Sequence, residues 1–298
     1  MALLDDLEDE PQIKLLQIIL HTDSILEPNY LVKMVFQYKR VLLVGATAGI
    51  GAAMADKLIE EGAKVIAVGR RQERLDAFVA KHGPERASGI RYDVTDRAGL
   101  DAFVNKVVET YPDLDCVFLN SGTQTAVRLT RPAEIDIDAF HREFEVNYTS
   151  IVNLTLKFLP YLEKKDYPTS LIVTGTFLSL VPAFVLPAYS ASKAALRSFF
   201  ESLRRQHQDF SKIKFIEILP PVVQTELHDY MGIERGRALG MPLADFTEQA
   251  YAALAAGKEE IIIGNLQGAT PEDIELFLEK RKLLFDSLSS SLALHFQP

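Results

Sequence analysis

Past residue 34, short apolar runs alternate with stretches in which apolar residues recur every three or four positions. The runs at 40–44, 64–68, 89–92, 115–119, 171–174, 214–219 and 260–263 are rich in Val, Ile and Leu and lack strict alternation. That pattern predicts strands buried on both faces. The helical patterns fall between them, at 50–61, 71–81, 100–111, 137–164, 187–208 and 244–256. Strand–helix alternation repeated this often predicts an α/β fold: a doubly wound, Rossmann-type parallel sheet with helices on both faces, formed as a single domain over 34–298. A last helix has a clear start, with Thr270 as N-cap, Pro271 behind it and Glu272 and Asp273 in the first turn. It is expected to run to about Leu284, before the serine tract at 287–291. Residues 1–33 stand outside the alternation. Ile13, Leu15, Leu16, Ile18, Ile19 and Leu20 suit either a short helix docked on the body or a disordered leader.

Composition narrows the class. The 298 residues hold 41 acids against 32 bases, a formal net charge of −9. A net acidic chain is a poor binder of nucleic acid, which needs a basic face. The single cysteine, Cys116, excludes an intrachain disulfide, and within the fourth strand it reads as a small core residue. Asp5, Asp6, Glu8, Asp9 and Glu10, with no base among the first ten residues, supply more than half of the net charge. Such a start is neither a secretory signal nor a transit peptide, so a cytoplasmic location is expected. The uncharged stretch at 167–192 imitates a membrane span. Pro168, Gly175, Pro182, Pro187 and its hydroxyls instead predict a strand, a loop and a helix start.

The first strand runs into Val44-Gly45-Ala46-Thr47-Ala48-Gly49-Ile50-Gly51, and a helix opens there. Glycines permit a tight turn, close approach of backbone to a pyrophosphate and close helix–strand packing. The helix N-terminus then offers free N–H groups to phosphate. The second strand ends in Gly69-Arg70-Arg71, without the acid that would hold a ribose 2′-hydroxyl. A guanidinium there suits a 2′-phosphate, so NADP(H) is the expected cofactor.

Tyr-x-x-x-Lys sets two side chains on one helix face, one turn apart. It occurs twice, at Tyr161/Lys165 and Tyr189/Lys193. The first ends a helix in a charged run and reads as a solvated end. The second follows a buried strand and opens a helix, where active sites of open α/β sheets lie.

With these motifs in order, residues 38–265 resemble the short-chain dehydrogenases/reductases. Gly45, Gly49 and Gly51 match the family's glycine turn, and Asp93-Val94 its adenine-side pair. Asn120-Ser121-Gly122 matches the fourth-strand motif, Asn147 the asparagine of the long fifth helix, and Tyr189-Ser190-Ala191-Ser192-Lys193 the active-site motif. The resemblance implies a catalytic set of Tyr189, Lys193, Asn147 and a hydroxyl at Thr176, with Ser179 as the fallback. Tyr189 would be the general acid or base, its phenol lowered by Lys193, and Asn147 would hold a relay water. It also implies cofactor contacts from Gly45, Thr47, Gly49, Ile50, Gly51, Arg70, Arg71, Asp93, Val94, Asn120, Gly122, Tyr189, Lys193, Val223 and Thr225. The implied reaction interconverts a carbonyl and a secondary or primary alcohol on a small molecule, expected to be hydrophobic if the apolar residues at 225–258 line its pocket. A homodimer or homotetramer is expected, by analogy.

The chain departs from the family at Thr176, where a serine is usual, and at Pro220-Pro221, where Pro-Gly is usual. Proline fixes φ and lacks an N–H, so the loop there must take another path. These departures keep a second reading open, a nucleotide-binding regulatory or scaffold protein of the same fold. The six histidines show no ligand spacing, and no metal is expected. Residues 225–258 occupy the place of a substrate lid, with Leu227, Tyr230, Met231, Ile233, Leu239, Met241 and Leu243 as a candidate apolar wall.

Overall fold

The computed structural model describes residues 36–208, 212–266 and 268–295. The chain divides into two units, Met1–Met34 and Val35–Pro298, and the described residues belong to the second. The segment 13–20, read as either a short helix or a disordered leader, therefore lies outside them.

Seven strands form one parallel sheet: β1 (Arg40–Val44), β2 (Lys64–Gly69), β3 (Ala87–Arg91), β4 (Cys116–Leu119), β5 (Thr169–Thr174), β6 (Ile213–Leu219) and β7 (Glu260–Ile262). Their order is β3-β2-β1-β4-β5-β6-β7, so the direction of winding reverses between β1 and β4. Parallel pairing needs a crossover after each strand. The crossovers are α1 (Gly49–Glu60), α2 (Gln72–His82), α3 (Leu100–Thr110), the helical stretch described below, α6 (Pro187–His207) and α8 (Leu243–Ala255), with α7 (Ile233–Arg237) a short turn before α8.

Side chains alternate across each strand, and the two cores follow that alternation. Val41 and Leu43 of β1 join Met54 and Leu58 of α1 and Phe246 and Leu254 of α8 on one face. Leu42 and Val44 join Phe103 of α3, Phe158, and Leu196 and Phe200 of α6 on the other. This two-sided burial is why the strands read as continuous apolar runs. Cys116 is wholly buried among them, and burial pushes its thiol far up, as for a packing residue.

Two helices differ from the sequence reading. The helix expected over 137–164 is α4 (Ile137–Phe144), a π-helical turn (Glu145–Thr149) and α5 (Ser150–Glu163). A single π turn keeps the whole run helical, so a helical reading of 137–164 does not locate it. The last helix, α9 (Pro271–Ala293), does not stop near Leu284. Thr270 and Asp273 form a full capping box at its start, and the serines cost too little helix propensity to end it. Among the described residues no helix is long and apolar enough to cross a membrane. The uncharged stretch at 167–192 is instead β5, a loop with one 3-10 turn, and the start of α6.

Candidate active site

At the reversal between β1 and β4 a cleft of about 1220 Å³ opens beyond the carboxyl ends of the strands. Open α/β sheets bind ligands at this kind of point. The glycine turn forms one end. Gly45 has φ +88°, and a Cβ there would stand 2.8 Å from the backbone nitrogen of Ser121. A Cβ on Gly51 would stand 2.1 Å from the Gly45 carbonyl oxygen. Both positions admit glycine alone. Asn120 ties this turn to the sheet: its Nδ2 donates to the Gly45 carbonyl (3.2 Å), and its Oδ1 accepts from the Thr174 hydroxyl (2.8 Å).

The start of α1 is bare. Its N-cap is Ala48, which offers no side-chain acceptor, and its first turn holds no acid. By contrast α9 has a capping box and two acids in its first turn. A helix start left uncapped at the edge of a cleft keeps free N–H donors and a positive dipole end for an anion.

Beyond β2 the two arginines separate. The Arg70 side chain is 76% exposed and stands 4.0 Å from Asp93. Arg71 turns inward, donating through Nε and one terminal nitrogen to the Thr47 hydroxyl (both 3.2 Å). Arg74, one turn into α2 and unremarked in the sequence reading, donates to the Thr47 carbonyl (2.9 Å). Both guanidiniums also grip Glu226, Arg71 at 2.9 Å and Arg74 at 2.8 Å. Asp93 and Val94 line the same end of the cleft, and the Asp93 carboxylate caps its own turn by accepting from Thr95.

At the other end lie the tyrosine and lysine. Pro187 opens α6, so Tyr189 and Lys193 fall on its first turns, both buried and both lining the cleft. Burial, then the Glu143 carboxyl, pushes the Tyr189 phenol well above its usual range, with a hydrogen bond from Thr176 pulling the other way. Burial also pushes the Lys193 ammonium down to about 8, against the pull of Glu217. Lys193 Nζ donates to the Thr174 carbonyl (2.7 Å) and stands 5.9 Å from the Tyr189 ring centre. Lys193 is thus anchored to β5, and it is Thr176 that opposes the rise of the Tyr189 phenol. Gly122 lies between Asn147 and Lys193: a Cβ there would stand at ordinary contact distance, 3.6 Å from Asn147 Oδ1 and 3.8 Å from Lys193 Nζ.

Thr176 and Ser179 are distinguished by their bonding. Thr176 lines the cleft, its hydroxyl accepting from the Leu178 N–H (3.2 Å). Ser179 instead donates its hydroxyl to the Thr176 carbonyl (2.6 Å). Asn147 sits in the π turn, wholly buried. Its Oδ1 accepts from the Thr123 N–H (2.8 Å), and its Nδ2 donates to the Thr123 carbonyl (2.8 Å) and the Ser192 hydroxyl (3.1 Å). Its side chain braces the loop after β4 against α6, which leaves it no donor for a relay water. The other tyrosine–lysine pair is directly bonded, Lys165 Nζ to the Tyr161 hydroxyl at 2.7 Å, but it closes on the Pro112 carbonyl, away from the cleft.

The segment after β6 roofs the cleft. Val223 bridges to Met241, and Thr225 caps a 3-10 turn (Glu226–Met231) and packs on Gly49, where a Cβ would meet it at 3.2 Å. Leu227, Tyr230, Met231, Leu239 and Met241 line the cleft as the apolar pattern suggests. Ile233 is 61% exposed and Leu243 packs into the core, so neither joins that wall. Gln124 and His228, both buried, add a polar spot (Gln124 Nε2 to His228 Nδ1, 2.8 Å).

Behind Tyr189 lies Glu143, which the sequence reading passed over. It is 1% exposed, and neither carboxylate oxygen meets a hydrogen-bond partner among the described residues. Burial pushes its carboxyl up to about 7, with Thr125 relieving part of the rise. One turn before Asn147, it was legible as a same-face neighbour, but nothing marked it as buried.

A glycine-rich turn at the reversal point of a doubly wound sheet, facing a buried tyrosine and lysine, defines a Rossmann-type dehydrogenase architecture. Residues 39–235 match the family model described as short chain dehydrogenase, and the chain belongs to that oxidoreductase family. It is 33% identical over 247 residues to the uncharacterized oxidoreductase DltE of Bacillus subtilis, covering 80% of this chain and 95% of that one. Among solved structures it resembles a short chain dehydrogenase/reductase from Burkholderia phymatum in complex with NAD (TM-score 0.69, 20% identity, 76% of this chain and 89% of that one). It also resembles the closed form of serine dehydrogenase complexed with NADP+ (TM-score 0.68, 22% identity, 78% of this chain and 98% of that one).

Proposed function

We propose that the protein is an NADP(H)-dependent oxidoreductase that interconverts a carbonyl and an alcohol on a hydrophobic small molecule. The observation that carries this reading is the meeting of buried Tyr189, Lys193 and Thr176 in one cleft with the bare start of α1. Such a cleft fits a dinucleotide: uncapped N–H donors for the pyrophosphate, glycines where any Cβ would collide, and guanidiniums near the end of β2. Gly45, Gly49, Ile50 and Gly51 would hold the pyrophosphate, with Thr225 closing over them. Arg71, joined by Arg74 and the more exposed Arg70, would take the 2′-phosphate. Asp93 and Val94 would meet the adenine, and Asn120, Gly122, Lys193 and Val223 the nicotinamide half. A nicotinamide dinucleotide supplies or accepts the hydride when bound.

The remaining work falls to the chain. Thr176 orients the substrate oxygen. Tyr189, kept protonated across neutral pH by burial, donates its proton to that oxygen as the carbonyl is reduced. Lys193, anchored on Thr174 and close to its own titration point, stabilises the phenolate left behind and can return a proton to it. Asn147 holds the floor of the site by bracing Thr123 and Ser192. Leu227, Met231, Leu239 and Met241 exclude water and favour an apolar substrate.

The test is turnover of NADPH with a panel of apolar ketones and aldehydes, followed at the reduced-nicotinamide absorbance. Tyr189→Phe is expected to lower kcat by about 10²–10⁴-fold while leaving NADPH affinity intact. Wild-type turnover that survives this change would remove the mechanism. Cofactor binding without turnover of any carbonyl would favour the regulatory reading instead.

A further inference from the structure

We propose that Glu226 is a built-in competitor for the cofactor's 2′-phosphate, and that its displacement couples the choice of cofactor to the substrate wall. The proposal rests on the reading of Arg71 and Arg74 as the 2′-phosphate site. The Glu226 carboxylate bridges these two guanidiniums at 2.9 and 2.8 Å. The same arginines hold the Thr47 hydroxyl and carbonyl. Two guanidiniums beside a hydroxyl, converging on a pair of anionic oxygens, make the donor set that a phosphate monoester requires. In this structure the anion is supplied by the chain itself. Burial pushes the Glu226 carboxyl up, but Arg74 and Arg71 outweigh it and hold the group below its usual range, so it is charged at neutral pH.

A carboxylate and a doubly charged phosphate cannot share two guanidiniums without strong like-charge repulsion. A 2′-phosphate arriving there must displace Glu226. Glu226 opens the 3-10 turn Glu226–Met231, whose Leu227, Tyr230 and Met231 line the cleft. Release of the carboxylate therefore frees the segment that shapes the substrate end. NAD(H), with only a hydroxyl at this position, leaves the ion pairs in place. Glu226 thus lowers affinity for the phosphorylated cofactor, and makes its binding the event that loosens the wall.

The two contacts bridge 155 and 152 positions of sequence and are half-exposed, each guanidinium giving one bond to a different oxygen of Glu226, so the energies involved are those of screened surface pairs. The experiment uses the full chain and two fragments that need no turnover: adenosine 2′,5′-bisphosphate and adenosine 5′-monophosphate, titrated by calorimetry. Glu226→Gln is expected to tighten the bisphosphate by about tenfold and leave the monophosphate unchanged. Glu226→Ala serves as the second variant, and a melting curve on each confirms folding. Unchanged or weaker bisphosphate binding in both folded variants would overturn the proposal, because Glu226 would then be neutral or would organise the arginines. Failure of the cofactor reading looks different. In that case neither wild type nor Glu226→Gln prefers the bisphosphate, and Arg71→Ala with Arg74→Ala changes nothing.

Discussion

Glu143 puts a carboxyl where water scarcely reaches it and where Thr125 offsets only part of the cost of burial. Its folded value of about 7 lies above the 4.5 of an ordinary glutamate. Between those values the folded chain binds more protons than the unfolded one, so stability falls as pH rises through this window. Below about 4.5 there is no penalty, and above about 7 the penalty is complete. Glu143→Gln is therefore expected to stabilise the protein at pH 8 by on the order of 2 kcal/mol and to change little at pH 4. Denaturant melts at the two pH values check this, and an equal effect at both would show that Glu143 does not titrate with folding. Burial raises the Tyr189 and Tyr230 phenols and the same carboxyl adds to the rise in both, so it also helps keep the proposed acid protonated. Of the site residues, Tyr189 and Lys193 were legible because one helical turn of sequence brings them together. Arg74 and Glu226 were not, since 152 residues separate them and only the folded chain sets one beside the other.

At the scale of elements, α6 is fixed from below by charge. Arg197, one turn after Lys193, is buried and pairs with Glu217 of β6 (2.6 Å), Glu260 of β7 (2.5 Å) and Glu201. Glu201 in turn pairs with Arg281, joining α9, which buries no residue of its own, to the body. Removing the cation alone leaves Glu217, 1% exposed, without its counter-charge. Arg197→Ala is expected to cost about 3–5 kcal/mol by denaturant unfolding. Arg197→Met combined with Glu217→Leu should recover most of that loss, because an apolar pair needs no desolvated charge. No recovery would mean that the packing of Arg197, rather than its charge, holds α6. The π turn Glu145–Thr149 is the element that the sequence concealed. It puts Asn147 against Thr123 and Ser192, and an uninterrupted helix would rotate that side chain away.

At the scale of the whole molecule, a ligand that binds only the folded state stabilises it by mass action. NADPH at a hundred times its Kd is expected to add about 2.7 kcal/mol, and NADH at the same concentration distinctly less. Thermal melts with each cofactor measure the difference, and an equal or larger shift with NADH would refute the assignment of Arg71 and Arg74. The net charge of −9 does not foretell this preference. A chain acidic in total still concentrates Arg70, Arg71 and Arg74 at one end of the cleft.

The order of strands and helices, the glycine turn and the Tyr189/Lys193 pair followed from sequence alone. Each rests on contacts within a few residues, where periodicity and backbone sterics act directly. The tertiary structure alone decided which arginine turns inward, Arg71 rather than Arg70, and what holds the fallback hydroxyl of Ser179, the Thr176 carbonyl. It also decided what Asn147's amide is bound to, and that Glu143 and Glu226 stand beside the site. These outcomes depend on burial and on partners far away in sequence. Neither is a property of a local window, because desolvation and ion pairing arise only when the sheet brings β2, β4, β5 and the segment after β6 around one cleft.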